Sequence, residues 1–159
     1  KRQALSALKY HLLKVDPRKS MLFNPEESID FQGNTGPFIQ YTYARIQSIL
    51  KRAKMLKIDF KGLNFDNVNK LSVNEKRIID LILKHRNNLK KSAETYSPSL
   101  LCNYVYDLSK TYNSFYQDEK IFDGKNNETT SFKIALSHTS ANIIKNGMML
   151  LGIKVPKKM

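Results

Sequence analysis

A single cysteine, Cys102, makes an intramolecular disulfide impossible and excludes a cysteine-based zinc site. Only three histidines occur, His11, His85 and His138, each alone in its segment, and three scattered imidazoles do not make a metal centre. Neither H-x-x-x-H nor H-E-x-x-H is present, and no glycine-rich phosphate loop follows a strand. The acidic pairs Glu26-Glu27 and Asp118-Glu119 are sequence neighbours, so they do not face each other across a helix or a strand. Cys102, set in an apolar helical pattern, reads as a small core residue rather than a nucleophile. No apolar run approaches the roughly 18 residues of a membrane span. The chain opens on Lys1 with neither a Met nor a signal-peptide pattern, so residue 1 is not expected to start a natural protein.

Acid is also scarce. The 159 residues carry 14 Asp and Glu against 27 Lys and Arg, a net charge of +13. That excess favours a polyanionic partner: nucleic acid, an anionic membrane surface or an acidic protein. Charged residues total 26% and apolar residues 41%, so the chain is no disordered basic tail and can bury one domain's core.

No alternating pattern longer than four residues predicts a strand. Leu5, Leu8, Leu12 and Val15 share one face of a helix over 1–15, which Asp16-Pro17 stops. Residues 17–36 are expected to be irregular, with turns at Asn24-Pro25, Gly33-Asn34 and Gly36-Pro37. Their apolar clusters within 21–31 suggest a surface that packs on something. Pro37, with Thr35 or Asn34 near the cap, starts a helix to about residue 54. A second irregular stretch follows over 55–71. Ser72 and Glu75 have capping-box spacing and open the next helix. Its stripe is Ile78, Ile79, Ile82 and Leu83, and Asn87-Asn88 should break it before a short helix at 88–95. Ser97-Pro98 opens a helix over 98–121. A loop at Asp123-Gly124 and the asparagines 126–127 precedes a last helix from 129 to 151, which Gly152 ends. The fold class predicted is all-α, a helical bundle of five or six helices.

The helix after Pro37 carries two faces. Ile39, Tyr43, Ile46 and Leu50 form an aliphatic-rich core stripe, and Phe38, Tyr41, Arg45, Ser48 and Arg52 cluster near the opposite side. The second row suits single-stranded RNA, whose unpaired bases stack on aromatic rings while guanidinium groups bind phosphate. It equally suits a helix packed on two sides, with Phe38 and Tyr41 in a second core. In the helix over 98–121, Leu101, Tyr104, Val105, Leu108, Tyr112 and Phe115 form the buried stripe. Tyr116 lies at its edge, able either to pack with its hydroxyl in water or to receive a base. The lysines from Lys154 to the end form either a solvated tail or a phosphate contact.

The run GNTGPFIQYTYARIQSIL, residues 33–50, resembles arginyl-tRNA synthetase, a class I aminoacyl-tRNA synthetase, in its C-terminal third. Residues 7–41, 96–117 and 135–159, with the terminal G-I-K-V-P-x-x-M pattern, extend the resemblance over nearly the whole chain in the family's order. The resemblance implies a bundle of the class I synthetase anticodon-binding type over 36–159, with 1–35 the end of the junction to an upstream catalytic domain. The family attaches arginine to tRNA(Arg) with ATP, and with Mg in the full-length enzyme; a cytoplasmic, monomeric protein without a membrane is expected here. The H-x-G-H-type and K-M-S-type signatures are absent here, so the chain is expected to hold no catalytic residue and no cofactor and to be inactive alone. By the same resemblance the tRNA-binding residues are Phe38, Tyr41, Arg45, Tyr116, Lys120 and Met159. Lys120 stands where some eukaryotic members carry an aromatic, so a phosphate contact replaces stacking there. Two other classes compete: a helical adaptor for an acidic protein, which leaves the aromatic–arginine row unused, and an enzyme domain, for which convergent groups are lacking.

Overall fold

The computed structural model describes residues 2–22, 24–60, 70–122 and 127–159. Those residues form six helices and no strand: α1 (Arg2–Leu13), α2 (Pro25–Ile29), α3 (Gly36–Met55), α4 (Val73–Glu94), α5 (Pro98–Asp118) and α6 (Asn127–Leu150). The loop expected around Asp123-Gly124 and most of the stretch over 55–71 lie outside the described residues.

Local chemistry sets the helix ends. Thr35 caps α3 through the backbone N–H of Phe38, with Pro37 in the first turn. Ser72 and Glu75 form both halves of the capping box on α4. Pro98 opens α5, but Ser97 makes no side-chain cap; its hydroxyl pairs instead with that of Ser99. The last turns of α3, α4 and α6 close alike. The N–H groups of Ile58, Ser97 and Ile153 reach back five residues to the carbonyls of Ala53, Ser92 and Met148. The residue at the reversal has positive φ each time: Lys57, Tyr96 and Gly152. Only the third is the glycine that this geometry favours.

Two boundaries differ from expectation. The short helix α2 occupies part of 17–36, capped by Asn24, whose side chain accepts from the N–H groups of Glu26 and Glu27. The helix α4 runs unbroken through Asn87-Asn88. Asparagine costs only about 0.6 kcal/mol in a helix interior. Here Asn88 donates to the Lys84 carbonyl, and Leu89 beyond it packs on the core.

The core lies between α3, α5 and α6, with α4 laid mainly against α5 and α1 against α3. The predicted stripe of α5 is buried throughout. Tyr112 is fully buried and donates to the Ser137 hydroxyl at 2.7 Å; burial pushes its phenol well above the usual range. Cys102 is buried too, its thiol pushed up to about 12 by loss of water. Gly147 lets α6 approach α5: a Cβ there would meet Val105 Cγ2 at 2.5 Å. On α4 the stripe is rotated from the predicted one. Leu83 is exposed, and Leu81 packs on the core in its place, one turn after Ile78.

The helix α1 shows the larger difference. Its buried side is Ala7, Tyr10 and His11. Tyr10 donates to the Asn34 side chain at 2.6 Å and is placed 2.9 Å from the Cys102 carbonyl. Leu5, Leu8 and Leu12 share a face as the spacing requires, but that face is exposed, as are Leu22, Ile29 and Phe31.

Candidate nucleic-acid interface

Helix α3 contains four cations and no acid. Its inner face, Ile39, Tyr43, Ile46 and Ile49, is buried, which turns Tyr41, Arg45, Ser48 and Arg52 outward. Facing them is the end of α5. There Phe115 is fully buried and Tyr116, the next residue, projects from the core's edge. After Asp118 the backbone becomes extended at Glu119, and buried Ile121 ties the following residues down. Residues 119–122 thereby form one wall of a groove.

The groove has a volume of about 660 Å³. Tyr41, Arg45, Tyr116, Lys120 and Met159 all line it, although they come from three distant parts of the chain. The Arg45 guanidinium carbon lies 4.9 Å from the Tyr41 ring centroid and 4.8 Å from that of Tyr116, within cation–π range of both. Arg45 also donates from Nη1 to Asn113 Oδ1 at 2.8 Å. Asn113 in turn donates to the Thr42 hydroxyl, which donates to the Phe38 carbonyl. Tyr41 and Tyr116 remain 47% and 41% exposed, so each keeps ring surface to offer a ligand. Farther along, Arg52 lies over Phe122 at 4.6 Å and repeats the cation–aromatic pairing.

Met159 reaches the groove because the tail folds back. Gly152 reverses the chain, Ile153 is buried, and Gln40 of α3 donates from Nε2 to the Lys154 carbonyl at 2.7 Å. Phe38 is the one predicted residue that does not line the groove. It is half-buried one turn before Tyr41, 5.5 Å from the Tyr106 ring, and packs against the core. The anchors Asn113 and Gln40 are not among the residues predicted. An asparagine inside a helix beside a buried tyrosine is a weak signal, and nothing local marks Gln40.

Glu119 adds an acid to the wall, but its charge is engaged. Lys133 Nζ donates to Glu119 Oε2 at 2.9 Å and lies 3.2 Å from the Lys120 carbonyl. That ammonium holds the carboxyl below the usual range. Among the described residues no group of three His, Cys, Asp or Glu could hold a metal ion, and no helix is long and apolar enough to cross a membrane.

The model of the DALR anticodon binding domain matches residues 39–159. The chain belongs to that family. The chain is 50% identical over 159 residues to the arginine–tRNA ligase of Flavobacterium psychrophilum, covering 98% of this chain and 25% of the relative. It is 43% identical to that of Porphyromonas gingivalis, covering 98% and 26%. The chain thus spans about a quarter of the length of the curated relatives it matches. Its fold superposes on the arginyl-tRNA synthetase of Thermus thermophilus with TM-score 0.85 at 24% identity, over 99% of this chain and 27% of that one. For the enzyme of Plasmodium falciparum the values are 0.78 and 28%, over 98% and 27%.

Proposed function

We propose that this DALR domain holds the anticodon loop of tRNA(Arg) in the groove between α3 and the α5–α6 wall, as the tRNA-binding part of an arginine–tRNA ligase. The full-length protein would attach arginine to its tRNA with ATP and Mg, as a cytoplasmic monomer, through a catalytic domain outside this chain. The observation that carries the reading is the Arg45 guanidinium over both Tyr41 and Tyr116. Two exposed rings flank a fixed positive charge, which matches an unpaired base beside its own phosphate. Lys120 adds a second charge at the rim, and Met159 supplies apolar surface for a base. Phe38 would act from below by supporting the turn that carries Tyr41. An acidic protein partner would use the charge but give the two rings no role.

Residues 1–35 would form the junction to the catalytic domain. The exposed Leu5, Leu8, Leu12, Ile29 and Phe31 support this, since a leucine stripe facing water gains by packing on a neighbouring domain.

Tyr41→Ala in the full-length protein tests the groove. It should weaken tRNA binding about 5- to 150-fold, the worth of 1–3 kcal/mol of stacking, and leave the melting temperature nearly unchanged. Tyr43→Ala, two residues on but only 4% exposed, should instead cost about 3–5 kcal/mol of stability. A Tyr41→Ala protein that melts far lower yet discriminates anticodons normally would contradict the assignment.

A further inference from the structure

Beside the aromatic groove lies a second cleft of about 770 Å³, formed by the C-terminal half of α3 and the returning tail. It shares Ser48, Arg52 and Lys158 with the groove, so the two run together. Its lining contrasts with that of the groove. Lys51, Arg52, Lys54, Lys157 and Lys158 are five of its nine lining residues, and no acid or aromatic is among them. The five ion pairs among the described residues use none of these cations.

We infer that this cleft is a phosphate track, which takes the sugar–phosphate backbone of the RNA strand whose bases stack in the aromatic groove. The inference rests on the anticodon-loop reading and adds a second binding site to it. Cations in the last turn of α3 have an ordinary explanation, since they complement the negative end of the helix dipole. That explanation does not reach Lys157 and Lys158. These come from the other end of the chain, and the Gln40–Lys154 bond holds the segment that carries them against α3. Bringing further lysines to an already positive helix end raises the repulsion there, and a polyanion relieves it. Leu50 and Met55 give the lysine stems an apolar floor to lie on while their ammonium groups stay in water. From Tyr41 to Lys54 the helix rises about 20 Å, a length that accommodates a few nucleotides of single strand. Bases would therefore be held at the Tyr41 end and phosphates at the Lys54 end, which gives the site a direction.

The triple variant Lys51→Gln/Lys54→Gln/Lys157→Gln of the full-length protein tests this, with tRNA affinity measured across a salt series. All three side chains are exposed, so the fold should not be disturbed. The slope of log K against log salt should become shallower by about 0.7 for each phosphate that is no longer neutralised, while discrimination among anticodon variants is retained. The corresponding triple Arg variant should keep the wild-type slope. Tyr41→Ala should lose affinity at an unchanged slope. An unaltered slope in the Gln variant, with Tyr41→Ala still impaired, would overturn the track and leave the anticodon reading standing. If Tyr41→Ala also binds normally, the anticodon reading fails and the track falls with it.

Discussion

Asn113 of α5 holds Arg45 of α3 in place: Nη1 of the guanidinium donates to Oδ1 of the amide at 2.8 Å. The same amide donates from Nδ2 to Thr42, so its orientation is set on both sides. A guanidinium on a long stem would otherwise lose much rotamer freedom on binding RNA. Here that freedom is restricted before the ligand arrives, with the charge already over Tyr41 and Tyr116.

Asn113→Ala should therefore weaken tRNA binding without removing any group proposed to touch it. Ordering one long side chain on binding costs about 0.5–1.5 kcal/mol, so a loss of about 1 kcal/mol is expected, near fivefold in Kd. Arg45→Ala should cost more, because it removes the charge itself. Calorimetric titration of the two variants and of the double mutant checks this. If Asn113 acts through Arg45, its substitution should add little in the Arg45→Ala background.

Acid stability should depend on Glu119. Its folded carboxyl lies below the usual range because Lys133 donates to it, so the group titrates lower folded than unfolded. The stability it contributes is fully present above the unfolded value of about 4.3 and is lost as pH falls through the folded value. Glu119→Gln should destabilise the chain by about 1.5–3 kcal/mol near neutrality, the range for a hydrogen bond to a charged group. The gap between variant and wild type should begin to narrow as pH falls below about 4.3 and close only below the lower folded value. Thermal melts from pH 7 to pH 3 measure this, and a gap that does not narrow at all below about pH 4 would show that the ion pair is not its source.

The leucine face of α1 gives a prediction that depends on context. Leu5 and Leu8 are exposed, so Leu5→Lys/Leu8→Lys should change the melting temperature of the 159-residue chain little. In the full-length protein the same change should destabilise by about 3–6 kcal/mol, if each leucine is buried at roughly 1.5–3 kcal/mol when the domains meet. Comparing the melts of both lengths distinguishes the two situations.

What was legible in the sequence is what neighbouring residues decide among themselves. The capping box at Ser72 and Glu75, the prolines at 37 and 98 and the reversal at Gly152 mark helix ends, because each satisfies or withholds a backbone group within a turn or two. Periodicity separates the two faces of α3 and identifies the whole buried stripe of α5, because hydrophobic spacing and helix pitch are both local. Periodicity says which residues share a face but not what that face meets. Leu5, Leu8 and Leu12 share one and it is open to water, while Tyr10 and Ala7 are buried because Gly36 admits α1 closely: a Cβ there would lie 3.0 Å from Tyr10 Cβ. Phe38 and Tyr41 belong to one sequence row, yet Tyr106 covers the first and nothing comparable covers the second. The pairing of Arg45 with Tyr116 and Asn113, and the return of Met159 through Gln40 and Lys154, join residues 68 to 114 positions apart along their hydrogen bonds. Only the packing of α3 against α5 and α6 brings such groups within reach, so the groove belongs to the tertiary structure although every side chain in it is written in the sequence.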